Sequence, residues 1–116
     1  MASEQTQLGK IEISPAAVAA LASQAVLTCY GVVGMSSPSL RHGLAEILGR
    51  DNYRRGVHAR LVSDEIVIDL YVVLEYGTRI SEVAQNIMRN VRYAVEHALG
   101  IPVASVNVHV QGLRVS

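Results

Sequence analysis

The chain has 116 residues and half of them are hydrophobic, so its length and composition fit one folded domain. Ten basic residues balance ten acidic ones, whereas non-specific nucleic-acid binding needs an excess of positive charge. The single cysteine, Cys29, excludes an internal disulfide and a zinc site with two or more thiolates. The polar start and the absence of an apolar run of about 20 residues predict neither a signal peptide nor a membrane span. We therefore expect a soluble, cytoplasmic protein.

The first predicted elements are a disordered polar tail over residues 1–7 and a half-buried strand over residues 8–13. Ser14 and Pro15 predict the start of a helix, because serine caps free N–H groups and proline fits the first helical position. Apolar residues then recur at helical spacing, at Val18, Leu21, Ala22, Ala25 and Cys29. A short strand over residues 32–35 follows this helix.

Residues 36–56 differ in composition and are predicted to form a basic insertion with one short helix. The window from residue 41 to residue 60 contains five arginines and two acidic residues, so positive charge is concentrated there. Its arginines are Arg41, Arg50, Arg54, Arg55 and Arg60. Residues 57–62 and 66–76 are then predicted as a hairpin of two strands, because only three residues separate them.

A second apolar stripe, from Ile80 to Ala98, predicts a longer helix that Gly100 ends. Alternating residues at 105–110 predict the last strand. The element order is β-α-β-(short helical insertion)-β-β-α-β, in a single domain over residues 8–116. Two helices with one apolar stripe each cover one face of a sheet, which predicts an α+β, two-layer sandwich with a mixed sheet.

Polar residues interrupt the strands on the face that the helices leave open. Asp69 breaks the apolar run of the long strand, and Asn107 and His109 alternate along the last one. Polar groups interleaved with valines and Tyr71 are typical of an interaction surface. A carboxylate near a histidine also permits general-base catalysis, with His58 and Arg60 as further candidates on this face. A solvated polar sheet face is the simpler interpretation. We expect no catalytic, cofactor-binding or metal site.

Three groups of residues carry a family resemblance: 9–14 with 31–35, 56–57 with 68–77, and 80–110. They include the strings Gly31-Val32-Val33-Gly34-Met35 and Val106-Asn107-Val108-His109-Val110. In this order they resemble the alkaline shock protein twenty-three family, also called the general stress protein twenty-four family, over residues 8–113. The resemblance implies a non-enzymatic cytosolic protein of bacterial envelope stress response or homeostasis. It also implies self-association and recruitment to the membrane by a membrane-anchored partner.

Three functional hypotheses follow from the sequence. The first is an interaction or scaffold protein that uses Asp69, Tyr71, Asn107 and His109. The second is an RNA- or ribosome-associated module that uses the basic 41–60 segment, with Arg50, Arg54, Arg55 and Arg60 as its contacts. The absence of tryptophan and phenylalanine counts against single-strand binding, which uses aromatic stacking. The third is a small enzyme that uses Asp69 and His109.

Overall fold

The computed structural model describes residues 2–36, 53–54 and 56–115 of the chain. In these ranges it has the following strands and helices, in chain order: β1 Ala2–Gln5, β2 Lys10–Ile13, α1 Pro15–Leu27, β3 Val32–Met35, β4 Tyr53–Arg54, β5 Val57–Val62, β6 Glu65–Glu75, α2 Ile80–Leu99 and β7 Val103–Arg114. The short helix predicted within the insertion lies outside the described residues. The α+β sandwich that the sequence predicts is confirmed.

The main sheet is organised around β6, which pairs with three strands. β5 and then β3 run antiparallel along one edge of β6, while β7 runs parallel along the other. β4 pairs with β5 and extends the sheet on that side. The predicted mixed sheet is therefore present, and both helices pack on one of its faces.

The hydrophobic core lies between this sheet and the two helices and is almost entirely aliphatic. Alternate residues of β6 point into it, so that Ile68, Leu70, Val72 and Leu74 are all fully buried. The helices contribute a stripe each, and their fully buried residues are Ala22, Val26, Ile87, Val91 and Val95. Cys29 is buried as well, in the turn after α1.

Local chemistry explains where several elements begin and end. The Ser14 hydroxyl accepts a hydrogen bond from the Ala17 N–H at 3.2 Å and so caps α1. Ser63 and Asp64 have positive φ angles of 49° and 67°, the geometry of a two-residue turn that matches strand twist. Gly100 ends α2 in the left-handed conformation, with φ of 71°.

The structure differs from the predicted disordered tail and half-buried first strand at the N-terminus. Residues 2–5 form β1, which pairs antiparallel with β2 in a separate two-stranded sheet. Ile11 of β2 is consequently 49% exposed. The alternating pattern of residues 8–13 specifies a strand but does not specify its partner. The Thr6 hydroxyl accepts hydrogen bonds from the N–H groups of Leu8 and Gly9, and this turn supplies a local partner.

Candidate functional site

The open face of the sheet brings four of the predicted interaction residues together. In the register of β6 and β7, Asp69 lies opposite Asn107, and Tyr71 lies opposite His109. The neighbouring residues of β6 point to the core, so these side chains lie on the face away from the helices. His58 of β5 lies opposite Asp69 on the other edge of β6.

Asp69 is the centre of this group, and its carboxylate interacts with four side chains. Its Oδ1 accepts a hydrogen bond from the Asn107 amide at 3.1 Å and lies 3.2 Å from Nε2 of His109. Its Oδ2 lies 3.6 Å from Nε of Arg60 and 3.9 Å from Nδ1 of His58. The Asp69 side chain is only 13% exposed, so these partners replace most of the hydration of its carboxylate. We call these five residues, together with Tyr71, the Asp69 cluster.

Burial and two neighbouring charges together set the pKa of His58. Burial lowers the pKa of His58, the Asp69 carboxylate raises it, and Arg60 lowers it, with a net shift downward. The Arg60 guanidinium is half exposed and faces the same Asp69 oxygen. The cluster therefore places a carboxylate and an arginine beside an imidazole whose neutral form is favoured.

Tyr71 joins the cluster to the base of the basic insertion. Its ring stacks on the His109 imidazole, with centroids 4.6 Å apart and planes at 13°. Its backbone N–H donates to the Gly56 carbonyl at 2.8 Å, and its carbonyl accepts from the Ser36 N–H at 3.0 Å. The two ends of residues 36–56 therefore meet at Tyr71.

The predicted basic contacts are only partly brought into this site. Arg60 lies in the Asp69 cluster, and Arg54 lies in β4 beside β5. Arg50 and Arg55 lie outside the described residues. Within the described ranges, Arg60 is thus the one predicted basic contact that is seen to touch the cluster.

A cavity of about 530 Å³ lies elsewhere, beside the start of α2. Tyr30, Arg79 and Arg89 help to line it, whereas no residue of the Asp69 cluster does. Among the described residues, no three His, Cys, Asp or Glu side chains are grouped to hold a metal ion. Neither helix in the described ranges combines the length and the apolar composition that crossing a membrane requires.

Two side chains of α2 have a role at β7 that the sequence reasoning missed. The Arg92 guanidinium donates to the Ala104 carbonyl at 3.2 Å, and the Glu96 carboxylate accepts from the Val103 N–H at 2.8 Å. These two side chains therefore hydrogen-bond to backbone groups at the start of β7. Their spacing of four residues places both on one side of a helix, but nothing in the sequence shows that this side faces a strand.

Comparison with known proteins defines the class to which this sandwich belongs. The family model of alkaline shock protein 23, a family with a cell envelope-related function, matches residues 3–115. YloU of Bacillus subtilis (strain 168), an uncharacterised protein, is 45% identical over 113 residues, which cover 97% of this chain and 94% of YloU. Spy1614 of Streptococcus pyogenes serotype M6, also uncharacterised, is 36% identical over 111 residues, covering 95% and 92% of the two chains. The chain belongs to the alkaline shock protein 23 family.

Solved structures with this fold include C-terminal domains of MamM. A double variant of that domain superposes with a TM-score of 0.53 at 18% identity, over 87% of this chain and 95% of the other. Another structure of the domain gives 0.51 at 17% identity, over 89% of this chain and 100% of the other. At such low identity the similarity concerns the fold alone.

Proposed function

We propose that this chain is a non-enzymatic interaction protein of the envelope stress response or envelope homeostasis. It self-associates and binds a membrane-anchored partner protein, and the open sheet face around the Asp69 cluster is the surface that binds this partner. Membership of a family with a cell envelope-related function supports the cellular setting. The remaining support comes from the open face itself.

The observation that carries the proposal is an apolar strand whose second face is covered by neither α1 nor α2, the two helices in the described ranges. On the side of Asp69, β6 has the buried Val67 and the half-buried Tyr71 and Val73, and it forms a parallel pair with β7. Parallel strands occur mostly in sheets that are covered on both faces, and their sequences are apolar on both sides. Tyr71 and Val73 remain half-buried in the single chain, so a partner that covers them buries further apolar surface.

The hydrogen bonds of the Asp69 cluster favour an interface over catalysis. Both oxygens of the carboxylate already face side chains of this chain, at Asn107, His109 and Arg60. A general base needs a lone pair that can reach a substrate proton. A fixed polar centre ringed by valine and tyrosine instead resembles the mixed composition of protein–protein interfaces.

The test compares two tyrosine substitutions in a host strain that lacks this gene. Tyr71→Glu places a charge on the open face, whereas Tyr76→Glu places the same charge on an exposed tyrosine just beyond β6. We expect Tyr76→Glu to restore growth under alkaline or cell-wall stress and Tyr71→Glu to fail. His109→Ala, a half-exposed member of the same stack, is the second variant in case Tyr71→Glu does not fold.

Three results would contradict the proposal. The first is full complementation by both Tyr71→Glu and His109→Ala, when circular dichroism shows that the two variants are folded. The second is loss of function in folded Asp69→Asn alone, with Tyr71→Glu active, which would indicate catalysis. The third is recovery of only RNA and ribosomal proteins when the tagged chain is purified from membrane and soluble fractions.

A further inference from the structure

We propose that two copies of this chain pair through the outer edge of β7, antiparallel and about a two-fold axis at Val108. The two sheets then form one continuous sheet with all four long helices on the same face. This inference rests on the self-association in the proposed function and locates the contact. We call the backbone of residues 105–110, on the side away from β6, the β7 edge.

The β7 edge is a long strand edge without a partner among the described residues. β7 has 12 residues and pairs with β6 on one side only. At its start, Arg92 and Glu96 of α2 bond to the backbone of Ala104 and Val103. Beyond Ala104 no described strand or helix takes up the outer groups. Unpaired backbone groups along an extended edge are a template for another strand.

The sequence of β7 has few of the features that keep an edge from pairing. Proteins protect exposed edges with proline, lysine, inward-pointing charges or very short strands. β7 contains no proline or lysine, and Arg114 is its only residue with a permanent charge. The other side of the sheet is different, because β4 covers part of β5 and Arg60 adds a charge there. Among the described strands, the β7 edge is therefore longer than the four residues of β5, 59–62, that β4 leaves without a pair.

The register follows from the two faces of the strand. Opposed residues in an antiparallel pair share a face, so helix-side residues of one copy must meet helix-side residues of the other. Bonds from α2 at Ala104 and the register shift between Val110 and Gly112 limit the regular segment to residues 105–110. A two-fold axis at Val108 sets Val106 opposite the second copy's Val110. It also sets Asn107 opposite the second copy's His109.

The sequence of β7 favours a second copy of this chain as the strand that pairs with the β7 edge. The strand is self-complementary, because its valines alternate with polar residues. With the axis at Val108, valines lie opposite valines and polar residues lie opposite polar residues. Val110, which is 37% exposed in one chain, is covered by valine in the pair. Both Asp69 clusters then lie on the same side of the continuous sheet. A membrane-anchored partner with two binding segments gains avidity from such a pair.

The first test is the mass of purified variants in analytical ultracentrifugation at micromolar concentrations. Val110→Lys puts a charge on the edge, and Val62→Lys puts the same charge on an exposed valine at the end of β5. We expect wild type and Val62→Lys at twice the 12.5 kDa chain mass. The symmetric contact contains residue 110 of both copies, so Val110→Lys introduces two charges into it. We expect the dissociation constant of the dimer to rise by about tenfold or more, which shifts the chain toward monomer.

The second test uses disulfide formation at the axis. Val108→Cys places two thiols directly opposite each other, and mild oxidation is expected to give a covalent dimer of the full chain. Val62→Cys is the control and is expected to remain monomeric under the same conditions. Cys29 is buried and shared by both variants, so it does not distinguish them. Cross-linking of Val62→Cys but not of Val108→Cys would contradict the proposal.

The outcomes separate this inference from the proposed function. Monomeric wild type at every concentration would overturn both the β7 contact and the self-association. A dimer that Val110→Lys preserves and Tyr71→Glu dissociates would overturn the β7 contact and place self-association on the open face. Loss of the dimer in Val110→Lys, with the fold retained, supports the β7 contact even if Tyr71→Glu still complements.

Discussion

Asp69 is a carboxylate on an otherwise apolar strand, held by side chains from the two neighbouring strands. A charge so poorly exposed is stable only when hydrogen bonds and opposite charges replace water. Asn107, His109 and Arg60 do this at 3.1, 3.2 and 3.6 Å. Asp69 therefore ties β5 and β7 to β6 as well as shaping the open face.

The first prediction concerns the charge of Asp69. Asp69→Asn keeps the shape but exchanges one acceptor oxygen for a donor that faces other donors. We expect the free energy of unfolding to fall by about 1–3 kcal/mol, measured by urea denaturation. Glu82→Gln makes the same change in a well-exposed pair with Arg79 and should alter stability little. Equal effects of the two substitutions would argue against a structural role for Asp69.

The second prediction concerns pH and His58. Burial holds the pKa of His58 below its ordinary value of 6.5, so the unfolded chain binds this proton more readily than the folded chain. The contribution of neutral His58 to the free energy of unfolding is fully present above pH 6.5. It is lost as pH falls through the lower pKa that His58 has in the folded chain. His58→Gln should flatten this acid loss of stability in urea titrations at several pH values. An unchanged pH profile in His58→Gln would show that other groups cause the loss.

At the scale of elements, the sheet has an unusual junction where β3 and β5 meet on one edge of β6. The Gly56 backbone lies against Ser36 and Tyr71 at this point, and a Cβ built on Gly56 would lie 2.5 Å from the Ser36 carbonyl oxygen. Gly56 also has a φ of +81°. The two ends of the insertion therefore approach as closely as glycine allows.

The third prediction compares two glycines with positive φ. Gly77 has a φ of +96° and open space around its α-carbon, so Gly77→Ala should cost only the backbone strain, about 1–2 kcal/mol. Gly56→Ala adds a clash with backbone atoms, and we expect about 2–5 kcal/mol. Thermal or urea unfolding of both variants measures the difference. Similar costs would mean that residues 36 and 56 separate easily.

In the whole molecule, the two sides of the sheet differ in the strands that the structure describes there. β4 covers part of β5, while β7 leaves its outer backbone without a described partner after Ala104. The helices cover only one face. In the part of the chain that the structure describes, a sheet face without a covering helix lies beside a strand edge without a pair, and both are suited to contacts with other chains.

The fourth prediction is that thermal stability depends on protein concentration. When folding is linked to dimer formation, mass action favours the folded dimer as the concentration rises. A tenfold increase should raise the melting temperature of wild type by about 3–5 °C. Val110→Lys should show a smaller rise, and Val62→Lys should match wild type. Concentration-independent melting of wild type would contradict a dimer in this range.

Most helices and strands of this chain could be predicted before folding was considered, because the rules that specify them act over a few residues. Helical and alternating periods located both helices and the strands β3, β5, β6 and β7, and Ser14, Pro15 and Gly100 marked helix ends. They did not locate β4, which lies within the predicted basic insertion. The order of these segments also indicated the family resemblance. Asp69, Asn107 and His109 were recognised as one group because alternation assigns side chains to faces wherever two strands are neighbours.

The choice of neighbouring strands and the use of each sheet edge could not be predicted from the sequence and depend on the assembled fold. Strand pairing joins residues far apart in sequence, and the alternating pattern of one strand does not name its partner. Thus β2 pairs with β1 rather than with the main sheet, and β3 and β5 share one edge of β6. The four contacts at Asp69 and the bonds from α2 at the start of β7 exist only after these strands assemble. The same assembly leaves the outer side of β7 without a described strand beyond Ala104.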